Sequence, residues 1–306
     1  MNRRNFIDKS IKGIALGATF GQFSFTQDKI NEEYEKLVLL HTNDTHSRLD
    51  AFDSGDFKGL GGVAARKTII DKIRSEEKNV LLVDAGDIFQ GTPYFNMFLG
   101  ELEIKAMSML GYDAATMGNH DFDAGLDNFN KQMQHANFPF IVSNYDFSDT
   151  ILHNKIAPYK IIKKGKLKIG LFGLGIELDG LVHKDLYLNT KYLDPVATAK
   201  KWATYLKQEE KCDIIILLSH LGYSYQGGKK ISDVVLSEMI DNVDVVIGGH
   251  THTFLKSPEV IKNKFGKFVI VNQVGWGGIN LGRLDIYLQK ETKNSIKSES
   301  FLLKCQ

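Results

Sequence analysis

From residue 37 onward the chain alternates short apolar runs with amphipathic stretches. Runs at 37–40, 80–83, 114–117, 140–142, 167–172, 214–218, 243–247, 268–271 and 284–288 are rich in Val, Ile and Leu and read as strands. Several are apolar at every position, as strands covered on both faces are. Between them, 62–75, 101–110, 126–135, 194–208 and 231–240 carry helical spacing. In the first of these, Val63, Ile69, Ile70 and Ile73 form an apolar stripe, and Asp194-Pro195 makes a cap and first-turn pair for the fourth. Strands alternating with helices predict an α/β layered fold. No Pro/Gly/Ser-rich linker divides the pattern, so one domain is expected over 34–306.

Composition narrows the classes. The 306 residues are 43% hydrophobic and 25% charged, which excludes disordered, collagen-like and multi-pass membrane chains. Lys and Arg number 38 against 37 Asp and Glu, so no general pull toward a nucleic-acid polymer is expected. Cys212 and Cys305 are too few for a disulfide framework or an all-protein zinc site, and Cys212 reads as a small hydrophobe beside an apolar run.

Residues 1–33 stand apart. Arg3, Arg4, Lys9 and Lys12 against Asp8 precede a weakly apolar, Gly-rich run over 13–25 that is too short to span a bilayer. Arg3-Arg4-Asn5-Phe6-Ile7 resembles a twin-arginine export signal, whose pathway carries folded proteins. Residues 1–33 are therefore expected to be signal and linker, with export to the periplasm. No A-x-A cleavage site is visible, so the segment could stay attached as an anchor.

The apolar runs end in chemistry. They lead into His41-Thr42-Asn43-Asp44-Thr45-His46, Asp84-Ala85-Gly86-Asp87, Gly118-Asn119-His120-Asp121-Phe122-Asp123, Ser219-His220 and Gly248-Gly249-His250-Thr251-His252. Open α/β sheets bind ligands beyond the carboxyl ends of their strands. Asp44 and His46 are two apart, as are His250 and His252, and in extended chain such pairs face the same side. Carboxylate, amide and imidazole donors together suit Zn, Mn, Fe or Ni. Asp87, between two such clasps, could bridge two ions, a geometry that activates water for phosphoryl displacement. No G-x-S-x-G or H-E-x-x-H occurs, which disfavours a serine hydrolase and a zinc protease. The stretch 61–68 departs from a P-loop, since Arg66 stands where the second Gly belongs, and the aromatic residues are dispersed along the chain, giving no base-stacking platform.

The ordered set D-x-H, GD, GNH, SH, GGHTH resembles the calcineurin-like metallophosphoesterases. More narrowly, HTNDTH, DAGDIFQG, GNHDFD, LLSHLG and GGHTH are similar to the catalytic domain of bacterial 5′-nucleotidases and UDP-sugar hydrolases, over about residues 37–288. The resemblance implies an α/β/β/α sandwich of two mixed sheets flanked by helices. It also implies two divalent ions, drawn from Mn, Zn, Co, Fe or Mg. One would be held by Asp44, His46, Asp87 and His252, the other by Asp87, Asn119, His220 and His250. The family carries Gln as often as His at the position of His252. His120 matches the catalytic histidine and Asp123 the acid that orients it, with Asp121 as the rival orienter; Asn144 matches a position that can reach substrate.

The familiar 5′-nucleotidases add a carboxy-terminal domain that clamps the nucleoside base. That domain is expected to be missing from 34–306, so selectivity would be weak or supplied by a separate chain. The implied function is a two-metal phosphoester hydrolase, 5′-nucleotidase-like, acting on nucleotides or related phosphoesters. The alternatives are a 2′,3′-cyclic nucleotide or nucleotide-sugar phosphodiesterase and a non-catalytic, metal-bound binding module.

Overall fold

The computed structural model describes residues 34–227, 230–289 and 296–304, the last with its backbone only. The expected signal at 1–33 and Cys305 lie outside the described residues. The chain runs through β1 (Tyr34–Thr42), α1 (Val63–Glu76), β2 (Val80–Asp84), α2 (Pro93–Phe98), α3 (Glu101–Leu110), β3 (Ala114–Ala115) and α4 (Gly125–Gln132). It continues with β4 (Tyr145–Asp146), β5 (Tyr159–Lys164), β6 (Leu167–Leu174), α5 (Lys184–Tyr187), β7 (Lys191–Tyr192) and α6 (Pro195–Gln208). The last elements are β8 (Ile214–Ser219), α7 (Asp233–Met239), β9 (Val245–Gly248), β10 (Glu259–Lys262), β11 (Phe268–Asn272), β12 (Asn280–Gln289) and β13 (Ile296–Lys304).

Two mixed sheets organise these strands. One has the order β13-β12-β1-β2-β3, the other β10-β11-β9-β8-β6-β5, and β4 pairs with β7 alone. In the first sheet β1, β2 and β3 are parallel, with antiparallel β12 and β13 on the β1 side; in the second β6, β8, β9 and β11 are parallel, with antiparallel β5 and β10 at the two edges.

The period of two along each strand builds the layers. Leu37, Leu39, Leu81 and Val83 pack in the same buried cluster as Ile169, Leu171, Ile214, Ile216 and Ile247, which fills the space between the sheets. Val38, Leu40 and Leu82 face the opposite way and join Ile70 and Ile73 of α1 with Ile104 and Met107 of α3. On the far side, Ile215, Leu217 and Val246 pack with Ala199, Ala203 and Leu206 of α6 and Leu236 of α7. The result is the α/β/β/α sandwich.

The Asp194 side chain accepts the Ala197 N–H at 2.6 Å with Pro195 in the first turn, so α6 starts where its sequence places it. Other boundaries differ. Residues 140–142 make only isolated bridges, Phe140 to Ala115 and Ile141 to Ala157, so this apolar segment is core without a ladder. The strand expected at 114–117 shrinks to β3, because the chain bends there into the ligand loop. Strands β5 and β10 are added at opposite edges of the second sheet, where the lysines of β5 and Glu259 and Lys262 of β10 break the apolar signal.

Candidate metal centre

The parallel strands deliver their carboxyl ends to one place. Asp44 and His46 follow β1, Asp87 follows β2, Asn119 and His120 follow β3, His220 follows β8, and His250 and His252 follow β9. Five of these residues hold left-handed backbone: Asp44 (φ 49°), His46 (47°), Asp87 (56°), His250 (73°) and His252 (52°). Such φ values are uncommon outside glycine and cost free energy, so their clustering marks a region where geometry is imposed by function. At Gly118 an added Cβ would land on Asp87 Oδ1 and stand 2.6 Å from His220 Nε2, so only glycine lets this loop pass behind both ligands.

The side chains assemble into two donor groups sharing Asp87. Asp44, His46, Asp87 and His252 bring one ligand atom each within 4.8 Å of one another, and so do Asp87, His220 and His250. Asn119 completes the second group, its Oδ1 lying 2.8 Å from His250 Nδ1. These are the two sets implied by the family resemblance, gathered from strands of both sheets.

The imidazoles are turned for ligation. His46 Nδ1 donates to the Phe89 carbonyl at 3.2 Å and His220 Nδ1 donates to the Ala85 carbonyl at 2.7 Å. A carbonyl can only accept, so Nδ1 carries a proton in each ring and Nε2 is the atom turned toward the cluster. His46 Nε2 stands 2.9 Å from His252 Nε2, and His220 Nε2 stands 3.1 Å from Asp87 Oδ2 and 3.9 Å from Asp44 Oδ1.

The electrostatics ask for a cation. Burial holds His250 down at about 3 and His252 at about 4, so both rings are neutral donors. Burial also opposes charge on His220, but the Asp87 and Asp44 carboxylates override it and push it up to about 10. Burial works against an ionised Asp87, yet His220, then His46 and His120, hold it well below the carboxylate range. Burial raises Asp44. A divalent cation among these oxygens and lone pairs satisfies the same field, and the donor set fits the two-ion site.

His120 sits at the edge of the cluster with 37% of its side chain exposed. Its Nδ1 donates to Asp123 Oδ2 at 2.8 Å, and its backbone N–H donates to Asp87 Oδ1 at 2.8 Å. The Asp123 hydrogen bond raises the pKa of His120 against the effect of burial. Asp121 plays a different part. Its carboxylate accepts backbone N–H groups of Asp87 (3.1 Å), Ile88 (2.9 Å), Phe89 (3.2 Å) and Gly118 (2.8 Å), binding two ligand loops together.

Asn144 is held from within the fold. It is fully buried and its amide is paired both ways with Gly175, donating to the carbonyl at 2.8 Å and accepting from the N–H at 2.7 Å. His41 is also fully buried, its Nε2 2.9 Å from Asn272 Nδ2, and burial drives it down to about 3. Cys212 is buried in the outer helical layer, with its thiol pushed up to about 11 by burial.

Several contributors escaped the sequence reading. Asn43 donates to Asp44 Oδ2 at 2.6 Å and to the Gly275 carbonyl at 2.6 Å, and it accepts the Val274 N–H at 3.0 Å. Gln273 accepts from Thr253 N–H and Thr251 Oγ1 and donates to the Gly249 carbonyl, bracing the loop that carries both His250 and His252. Polar residues directly after apolar runs were the available signal. The dispersal of the aromatic residues also misled, because Phe52, Phe57, Phe254 and Trp276 meet beside His252.

A layered α/β/β/α fold with this donor set at its strand ends defines a metallophosphoesterase. Residues 37–254 match the calcineurin-like phosphoesterase family, and the chain belongs to it. The venom 5′-nucleotidase of Gloydius brevicauda is 37% identical over 286 residues, 86% of this chain and 47% of that protein. The 5′-nucleotidase of Vibrio vulnificus (strain CMCP6) is 34% identical over 252 residues, 78% of this chain and 45% of that protein. The crystal structure of a 5′-nucleotidase precursor from Thermus thermophilus is similar with a TM-score of 0.78 at 33% identity, covering 88% of this chain and 55% of that one. The chain thus spans about half the length of the relatives it matches.

Proposed function

We propose that this chain is a two-metal phosphoester hydrolase, 5′-nucleotidase-like, acting on nucleotides or related phosphoesters. The observation that carries this reading is Asp87, shared by two donor groups, with His120 hydrogen-bonded to its carboxylate through the backbone. Asp44, His46, Asp87 and His252 would hold one divalent ion and Asp87, Asn119, His220 and His250 the other, with Mn, Zn, Co, Fe and Mg as candidates for mixed oxygen and nitrogen donors. Ions bound there supply positive charge for the phosphoryl oxygens and acidify water.

The chain's own groups do the rest. Asp123 fixes the proton on His120 Nδ1, which leaves Nε2 to face substrate. A proton on Nε2 passes to the ester oxygen as the phosphorus–oxygen bond breaks and water adds to phosphorus, giving phosphate and an alcohol with inversion.

Location and partners complete the proposal. The Arg3-Arg4 pair supports export of the folded protein to the periplasm. No helix among the described residues is long and apolar enough to cross a membrane. Relatives about twice as long support a further contribution to base recognition from outside residues 34–306, whether by another domain or by a separate chain. One assay tests the whole: turnover of 5′-AMP, UDP-glucose, 2′,3′-cyclic AMP and p-nitrophenyl phosphate with Mn, Zn, Co or Mg. Turnover of 5′-AMP that is lost on chelation is expected; no turnover of any substrate by metal-loaded protein would leave only a binding module.

A further inference from the structure

Behind two of the ligand loops, where α1 and α3 cover the first sheet, lies a cavity of about 20 Å³. Its walls include Thr45, Ser47 and Arg48 from the loop after β1, Ile88 from the loop after β2, Arg66 of α1 and Glu103 of α3. Five buried polar atoms of these residues have no hydrogen-bond partner in the protein: Ser47 Oγ, Arg48 Nε, Arg66 Nε and both carboxylate oxygens of Glu103. Ser47 is 1% exposed, and Arg66 and Glu103 are each 3% exposed, so bulk solvent does not serve them. Burial raises the pKa of Glu103, and Ser47 is the neighbouring side chain that opposes the rise. Arg48 is held over the Phe52 ring at 4.1 Å, and a Cβ added at Gly278 would stand 2.6 Å from Arg66 Nη2, so neighbours fix both guanidinium groups.

Size and donor count choose the occupant. A water needs roughly 10–15 Å³, and the cavity leaves room for little more. An anion would meet two guanidinium groups but be repelled by Glu103. A metal cation would meet Glu103 but be repelled by Arg48 and Arg66. A water serves every group. It accepts from Arg48 Nε–H and Arg66 Nε–H and donates to Ser47 Oγ and one Glu103 oxygen, and the Ser47 hydroxyl then donates to the other.

We propose that Ser47, Arg48, Arg66 and Glu103 close around one resident water, and that this clasp positions the His46 and Asp87 loops for the ion shared by Asp44, His46, Asp87 and His252. Ser47 joins the clasp to both loops. It follows His46 directly, holds left-handed backbone (φ 53°) and donates its N–H to the Ile88 carbonyl at 2.8 Å. Its carbonyl accepts from Thr92 Oγ1 at 2.9 Å, and His46 N–H donates to the Asp87 carbonyl at 3.0 Å. Strained backbone of this kind persists only where its surroundings impose it. Glu103 and Arg66 are thus positioning residues rather than ligands. This rests on the two-ion reading of the site and adds to it the side chains that fix one ion's loop.

Two measurements test it. In a crystal structure of the metal-loaded protein, one solvent oxygen should lie about 2.6–3.2 Å from at least three of the five atoms. No such oxygen, or an ion in its place, overturns the clasp. The second measures the affinity of each ion by chelator competition in the Co-loaded chain, with the His220–His250 ion as internal reference. Glu103→Gln should weaken the ion held by His46 by roughly 10- to 100-fold. Ser47→Ala, which removes one hydrogen bond, should weaken it by roughly 5-fold. The visible absorption of that Co ion should change in both variants, and the reference ion should keep its native affinity. Unchanged affinities, or equal weakening of both ions, overturns the positioning role even if the melting temperature falls. Should Glu103→Gln fail to fold, Ser47→Ala decides alone. A protein that binds two ions through an intact clasp and hydrolyses nothing removes the hydrolase reading and keeps the clasp. Native 5′-AMP turnover with unchanged affinities in the variants does the reverse.

Discussion

His46 and His252 aim their Nε2 atoms at one another across 2.9 Å, from loops 206 residues apart in sequence. His46 has its other nitrogen tied to the Phe89 carbonyl, so a lone pair faces the partner ring. A shared cation resolves that encounter. Asp87 faces this pair and the His220–His250 pair alike. Asp87→Ala should therefore reduce bound metal from two ions per chain to one or fewer, and His252→Ala should affect one ion only. Elemental analysis of metal-reconstituted protein decides the matter; full occupancy in Asp87→Ala would contradict the bridging position.

Asp121 and Asp123 flank Phe122 in one short turn, and their contacts predict opposite phenotypes. Asp123 touches His120 and is partly exposed, whereas Asp121 accepts four backbone N–H groups from two loops. Asp123→Ala should lower kcat by about 10-fold and His120→Ala by roughly 10²–10⁴, the range for a positioned acid–base group, each with metal retained. Asp121→Ala leaves several buried donors unpaired and should cost on the order of 3–5 kcal/mol of stability. Steady-state kinetics beside thermal melts separate the two; a stable, inactive Asp121→Ala variant would reverse the assignment.

Spacing made the donor set legible. Asp44 with His46 and His250 with His252 lie at i and i+2 after apolar runs, and the same pattern marks where the parallel strands end. Spacing could not separate Asp121 from Asp123, because both lie within reach of His120 until the turn at His120–Phe122 aims one inward and the other at the ring. Nor did it foresee the left-handed backbone at five ligands, which is imposed by packing among distant loops. The aromatic cluster beside His252 was illegible for the same reason: Phe52 and Trp276 meet only once the two sheets are stacked. Edge strands β5 and β10 were missed because solvent on one face replaces apolar residues with Lys and Glu.

Export has its own test. Replacing Arg3 and Arg4 together by Lys should leave the folded protein in the cytoplasm if the twin-arginine route carries it. Fractionation of cells producing the two forms gives the answer, and periplasmic recovery of the Lys variant equal to that of the native chain would point to ordinary secretion.

The last prediction concerns pH and a carboxyl behind the site. Asp233 is fully buried at the start of α7, with His220, Tyr223 and Tyr225 as its titratable surroundings. Burial pushes it up to about 8 from an ordinary 3.8, against the opposing effects of Ser219 and His220. Across that window the folded protein keeps a proton that the unfolded chain has released, so the stability of the protonated form is fully present below pH 3.8 and is lost as pH rises toward 8. Asn at this position mimics the protonated acid without titrating. In chelator-treated protein, where bound cations do not alter the local field, the wild-type melting temperature should therefore fall between pH 5 and 8 relative to Asp233→Asn, by several degrees at the alkaline end. Parallel melting curves for the two proteins across that range would mean that Asp233 titrates at the same pH in both states, and that its burial is offset by partners stronger than Ser219.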